Sequence, residues 1–231
     1  WRAGEHSVIL SEWQPADKPQ TPTHTFDASK YLRFFDRPFL NEAARTFLFD
    51  QRKLDPRVVS WCRLNSFTDK QGTSWLQIPY YDIDGHLIGV QNRNLSYQSS
   101  SINNPSSSAP RFKFPYGHTC HIYNLPVLKL LKKGEPLFIT EGASDCWAML
   151  SSGHKAVAIP SATLLKPQDL QILSTLNSQL STVLHMYPDQ DEPGERLFLD
   201  LRRLLGSPSS IVRHQLPPDY KDYSDYYLSK H

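Results

Sequence analysis

Cysteine is scarce in this chain. Cys62, Cys120 and Cys146 are the only three, they are widely spaced, and no pair has the spacing of zinc ligands. An odd number argues against a disulfide framework, and a reduced, cytoplasmic setting fits such usage. Long apolar runs are also missing. None approaches the roughly 20 residues that cross a bilayer, so no membrane association is expected. Charge of one sign is not in excess either. The net charge is +2, so any contact with nucleic acid has to come from a local basic patch. No Gly-x-x-x-x-Gly-Lys-Ser/Thr loop occurs, which leaves no helicase motor within these residues. There is no charged-then-apolar signal pattern. The chain opens at Trp1 and is read as a piece of a longer protein. What remains is ordinary globular material: 231 residues, 39% hydrophobic and 21% charged, enough for a real core and two subdomains.

Residues 1–26 are rich in Pro, Thr and charge without a period and read as a linker or peripheral arm. From Asp27 to Phe67 the spacing is helical. Ala28, Tyr31, Leu32 and Phe35 recur on one face, then Leu40, Ala43, Ala44 and Phe47, with Pro38 between them. Asp55-Pro56 has the form of a helix cap and first turn. The period then changes. Trp75–Tyr81 and His86–Gln91 flank Asp82-Ile83-Asp84-Gly85 and read as a hairpin. Ser96–Pro110 is a Ser/Asn/Pro tract, either a flexible loop or only a tolerated insertion. From Glu135 onward, short apolar runs alternate with helical stretches. Strands are expected at Leu137–Thr140, Ala156–Ile159, Thr182–Tyr187 and Ser210–Leu216. Helices are expected at Ser144–Ser152, from Pro167 to about Leu176, and from Pro193 to about Leu205. That alternation is the signature of an α/β fold, a parallel sheet with helices on both faces. It gives an N-terminal α+β subdomain over 27–134 and a second domain over 135–231.

In such a sheet, ligands gather beyond the carboxyl ends of the strands. Carboxylates stand at those places here. Glu141-Gly142 follows the first strand and Asp145 lies one helical turn on. Asp189-Gln190-Asp191 follows the third strand, and Asp222 and Asp225 follow the fourth. Clustered carboxylates repel unless a cation joins them, and an all-oxygen donor set selects Mg²⁺ or Mn²⁺. The plain alternative is that Asp-x-Asp is a common loop pattern and that acids near helix starts are caps.

Several segments resemble the Toprim fold and, within it, the DnaG-type primase catalytic core. Phe138-Ile-Thr-Glu-Gly-Ala-Ser-Asp145 resembles the first Toprim signature, Tyr187-Pro-Asp-Gln-Asp-Glu-Pro-Gly194 the second, and Gly153–Leu164 the stretch between. Upstream, Ile78–Arg93, Arg111-Phe-Lys-Phe114 and His121-Ile-Tyr-Asn-Leu125 are similar to primase segments, and Leu216–Asp225 resembles the acidic ending. The resemblance implies a DNA primase, a nucleotidyltransferase that makes short RNA primers on single-stranded DNA. Glu141, Asp189 and Asp191 would be its catalytic residues and would hold Mg²⁺ or Mn²⁺ with Asp145 and Asp222 in support. Arg93, Arg111 and Lys113 would meet nucleotide or template phosphates, unless they form only a solvated face. Trp75, Tyr116 and Tyr123 are candidates for base stacking, with the core as the ordinary place for such rings. Nucleoside triphosphates, a single-stranded template and a replicative helicase are the partners implied. Departures from the family pattern are Gln190 and Pro193 in the second signature, Ser161-Ala162, and two residues between Asp222 and Asp225. They suggest a mobile-element or phage-like variant. The alternatives are a Toprim-type metal-dependent nuclease, or a non-catalytic nucleic-acid-binding domain.

Overall fold

A computed structural model describes residues 25–97, 110–159, 169, 171–175, 181–206 and 211–231. The arm expected over 1–26 and the loop expected over 96–110 lie almost wholly outside these residues; of the helix expected from Pro167 to about Leu176, residues 169 and 171–175 are described and are helical.

Among the described residues, two four-stranded sheets organise the chain. The first is antiparallel, in the order β1 (Asn65–Thr68), β2 (Ser74–Tyr81), β3 (Leu87–Asn94), β4 (Phe112–Lys113). The expected hairpin is its centre, with Ile78 opposite Gln91 and Trp75 opposite Asn94. Short helices precede it: α1 (Leu32–Asp36), α2 (Glu42–Arg45, continued by a π-helical turn Thr46–Gln51) and α3 (Pro56–Trp61). Local chemistry sets their starts. The Asn41 side chain accepts the Ala44 N–H at 2.9 Å, and Asp55 accepts the Arg57 N–H at 2.8 Å with Pro56 following it. The helical reading ran too far at Asn65–Phe67, which is strand. Arg63 takes a positive φ of 50° and turns the chain out of α3. Asn65 Oδ1 then accepts the Phe39 N–H at 2.7 Å, and Ser66 Oγ accepts that of Asn41 at 2.7 Å. These polar side chains satisfy the backbone of the preceding segment and hold β1 on the sheet edge.

The second sheet is parallel throughout, in the order β6 (Ala156–Ala158), β5 (Leu137–Thr140), β7 (Leu184–Met186), β8 (Ile211–Arg213). β5 has the bounds read from its apolar run, and the other three strands are one to four residues shorter than theirs. Helices cover both faces. Leu137 and Ile139 of β5 pack with Leu197, Phe198 and Leu201 of α5 (Glu192–Leu204) and with a 3-10 turn over Leu125–Leu130. Phe138, one residue along and therefore on the opposite face, packs with α4 (Ala143–Ser151) and α6 (Tyr223–Leu228).

That second face is continuous with the first sheet. Leu76, Ile78 and Tyr80 of β2 share one buried cluster with Trp147, Met149, Tyr223 and Tyr227. Tyr123 is the joint: its ring meets that of Tyr80 edge-on at 5.3 Å, and its hydroxyl accepts the Trp147 Nε1–H at 2.8 Å. Burying Leu76 or Ile78 this fully contributes about 1.5–3 kcal/mol each. α6 also reaches far back along the chain. The Tyr227 hydroxyl donates to the Lys53 carbonyl at 2.6 Å, and the Tyr223 hydroxyl meets Ser152 Oγ at 3.2 Å. The two sheets therefore cannot shift against each other without breaking core contacts. A cavity lies where they meet.

Candidate active site

Parallel strands deliver their carboxyl ends to one edge, and the acids arrive there together. Glu141 directly follows β5. Asp145 lies in the first turn of α4. Asp189 follows β7, Asp191 is the N-cap of α5, and Asp222 is the N-cap of α6. Glu141, Asp145, Asp189 and Asp222 line one side of a cavity of about 440 Å³. Arg52, Arg93 and Arg111 line it from the helices and strands of the first subdomain.

The acids are held by backbone donors. Glu141 Oε1 accepts the Asp189 N–H at 3.1 Å, and Asp145 Oδ1 accepts that of Ser224 at 2.9 Å. Asp191 Oδ1 accepts the Gly194 N–H at 3.0 Å, and Asp222 Oδ1 that of Asp225 at 2.8 Å. Burial disfavours the charged form, and the neighbouring carboxylates add to it. Asp189 is pushed up to about 8 by burial, then by Glu141, Asp145, Asp222 and Asp191. Asp145 is pushed up to about 6 by burial and by Asp222. Burial raises Glu141 too, against the opposing Asp189 N–H. Asp191 is not among the residues lining the cavity; its Oδ2 lies 3.3 Å from Nζ of Lys221, which does line it. Among the described residues, no three His, Cys, Asp or Glu side chains are gathered around a single metal position. Asp191 and Asp222 each turn one oxygen onto their own helix.

Two residues fix the spacing of these segments. Gly194 is buried in the first turn of α5. A Cβ there would fall on the Asp189 carbonyl oxygen, 2.7 Å from Glu141 Oε1 and 2.8 Å from the Asp189 nitrogen. Gln190, where the resemblance expects Gly, ties the second acidic segment to the last. Its Nε2 donates to the Pro217 carbonyl at 2.7 Å and the Tyr220 carbonyl at 2.5 Å. Its backbone N–H donates to the Lys221 carbonyl at 2.7 Å. The departure is thus a strap that seats Lys221 and Asp222.

On the basic wall, Arg93 of β3 lies half-buried over the rings of Phe47 at 4.9 Å and Phe112 at 5.6 Å. Burial and the nearby Arg111 and Arg52 bring it down to about 10. Among the described residues, none of these three arginines has a carboxylate within 4.0 Å. Lys113 is not part of this wall. Successive strand residues face opposite ways: Phe112 faces the cavity, while Lys113 Nζ sits 4.4 Å over the Trp75 ring on the other side. Trp75 and Tyr123 are core residues, 1% and 2% exposed, and neither can stack on a base. Trp75 instead donates its Nε1–H to Asp69 Oδ2 at 2.8 Å. Tyr116 is exposed. Arg52, Lys221, Gln91, Phe114 and His118 line the cavity without having been singled out in the sequence. Lys221 was legible in principle, as a lone cation between acids. Arg52 gave no signal, because it reaches the site only through the packing of the π-helical turn.

No protein-family model matches the chain. A segment of 83 residues, 36% of the chain, is 28% identical to an uncharacterized protein of Mycoplasma genitalium and covers 34% of that protein's length. Solved structures are similar over most of the chain. The primase fragment of the bacteriophage T7 primase-helicase matches 96% of the chain and 82% of its own length, with a TM-score of 0.60 and 14% identity. The DnaG primase catalytic domain bound to single-stranded DNA matches 88% and 74%, with a TM-score of 0.58 and 16% identity. The RNA polymerase domain of the Mycobacterium tuberculosis primase matches 87% and 77%, with a TM-score of 0.63 and 16% identity. The chain has the fold of the DnaG-type primase catalytic core.

Proposed function

We propose that the chain is the catalytic core of a DNA primase that joins ribonucleotides on a single-stranded DNA template, with a Toprim-type acidic site. The observation that carries this reading is the single cavity in which Glu141, Asp145, Asp189 and Asp222 face Arg52, Arg93 and Arg111. Opposed anionic and cationic walls suit a nucleoside triphosphate, whose phosphates need both a bridging cation and direct positive partners. The likeness to a single-stranded-DNA-bound primase and to a primase-helicase fragment supports template DNA and a helicase as partners.

The donor set fits Mg²⁺ or Mn²⁺. All donors are carboxylate oxygens; burial raises Asp189 and Asp145, the neighbouring carboxylates add to it, and a cation would offset both effects by favouring the ionised form. Glu141, Asp189 and Asp191 would hold it, with Asp145 and Asp222 in support. When bound, a divalent ion supplies charge neutralisation on the phosphates and lowers the cost of the developing charge in nucleotidyl transfer. The protein's own groups do the rest. Arg93 and Arg111 orient phosphate oxygens. Glu141 carries a carboxylate poised to take a proton, while the Asp189 N–H fixes its position. Burial between the two sheets limits water, which strengthens each of these contacts.

The test is incorporation of labelled ribonucleotides on single-stranded template with Mn²⁺, comparing wild type with Asp189→Ala. Loss in the variant is expected. Incorporation that survives the substitution sinks the assignment, and template cleavage without incorporation points to a nuclease.

A further inference from the structure

The cavity also has aromatic residues in its lining. The Phe114 ring stacks on His118, with centroids 4.9 Å apart and 24° between planes. His118 in turn packs against Gly89. A Cβ at position 89 would stand 2.7 Å from His118 Nδ1 and 2.8 Å from its Cε1, so the absence of a side chain there lets the ring sit this close. Tyr80 buttresses His118 edge-on at 5.8 Å. The result is a layered support of Gly89, His118 and Phe114, backed by a core tyrosine. Phe114 remains 49% exposed, although its inner face is covered. Phe114 and His118 line the same cavity as Arg93, Arg111 and the carboxylates.

We infer that the outer face of Phe114 is a stacking platform for a nucleobase. A rigidly backed, open aromatic face takes a flat π-system, and base–aromatic stacking tolerates any base. The arginines beside it take the anionic part of the same ligand. A flat base joined to phosphate satisfies both. This rests on the primase reading, which supplies nucleotides as ligands. The base comes either from the template strand or from the incoming ribonucleotide, and the two sources are separable.

Binding is measured by the quenching of 2-aminopurine fluorescence on stacking. One arm uses a single-stranded deoxyoligonucleotide carrying 2-aminopurine, the other 2-aminopurine ribonucleoside triphosphate with Mn²⁺. The proteins are wild type, Phe114→Leu, Phe114→Ala and Phe114→Trp. Because Phe114 is half exposed, thermal unfolding of the variants should match wild type, so a binding loss is not an unfolding artefact. In one arm, quenching and affinity should fall roughly tenfold or more in Phe114→Leu and Phe114→Ala and persist in Phe114→Trp. Loss in the oligonucleotide arm assigns the platform to the template, and loss in the triphosphate arm to the incoming nucleotide. If wild type binds and Phe114→Leu binds and quenches equally in both arms, the platform is refuted and the primase reading stands. If wild type binds neither probe, both fall.

Discussion

Replacing Gly194 with alanine reverses the usual effect of such a change. Glycine inside a helix ordinarily costs about 1 kcal/mol relative to alanine, so Gly→Ala should stabilise α5. Here the new methyl falls on the Asp189 carbonyl and within 2.8 Å of the Asp189 nitrogen and Glu141 Oε1. The obstructing atoms are largely backbone, which cannot swing aside, and overpacking of this kind costs about 1–3 kcal/mol. Displacing Glu141 also weakens its hydrogen bond from Asp189, worth about 0.5–1.5 kcal/mol. The helix-propensity gain offsets part of this, leaving a net loss of about 1–3 kcal/mol. For a chain of this size that lowers Tm by about 2–10 °C. Primer synthesis should fall further than stability does, because the methyl wedges apart Glu141 and Asp189 themselves. Gly142→Ala is the internal control. Its backbone is extended and a Cβ would meet only Asp145 Oδ2, at an ordinary 3.8 Å. That variant should stay within about 0.5 kcal/mol of wild type. Urea unfolding and ribonucleotide incorporation on all three proteins decide the matter. A Gly194→Ala protein as stable and as active as wild type refutes the reasoning.

Three further outcomes are expected. Without divalent ions, stability should fall as pH rises. Asp189, at about 8 in the fold against the ordinary 3.8, binds a proton more tightly when folded, so its stabilising contribution is full below about 4 and lost through about 8. His185 and His214 are depressed by burial and act in the opposite sense below their ordinary 6.5, so the urea midpoint is best followed from about pH 6.8 to 8.5. A flat profile there contradicts the Asp189 assignment, and Mg²⁺ should remove the slope. Gln190→Ala should leave Tm nearly unchanged but speed hydrogen exchange at the Lys221-Asp222-Tyr223 amides, since two carbonyls of the Pro217–Tyr220 loop lose their donor; unchanged exchange dismisses the strap. Arg93→Ala should weaken single-stranded DNA or nucleotide binding and lower the salt slope by about 1, measured by fluorescence titration across salt.

The second sheet was legible because its signals are local. Buried parallel strands read as short apolar runs, and Pro193 and Asp191 mark the start of α5 in one dimension. The misreading at Asn65–Phe67 has a non-local cause: Asn65 and Ser66 are held in a strand by side-chain bonds to the backbone of Phe39 and Asn41, more than twenty residues earlier. The acids were legible as strand-end residues. Their partners were not, because Arg52, Gln190 and Phe114 acquire their positions from contacts spanning tens of residues. The aromatics were left open between core and stacking for the same reason. Exposure decides whether a ring stacks on a base, and Trp75 and Phe114 cannot be ranked without it.

The reach of α6 has a consequence for how the chain is made. Leu48 and Leu76 are completely buried, yet the cluster that covers them includes Trp147 and Tyr227. At ribosomal speeds of about 5–20 residues per second, Tyr227 emerges roughly ten to thirty seconds after Leu48. Until then the antiparallel sheet carries an apolar face with no lid, and such non-local closure folds slowly. Asp222 and Ser224 lie in the same segment, so the acidic cavity cannot be complete before α6 folds. A nascent or interrupted chain would therefore expose sticky surface around an unfinished cavity, and would call on a chaperone until α6 closes it.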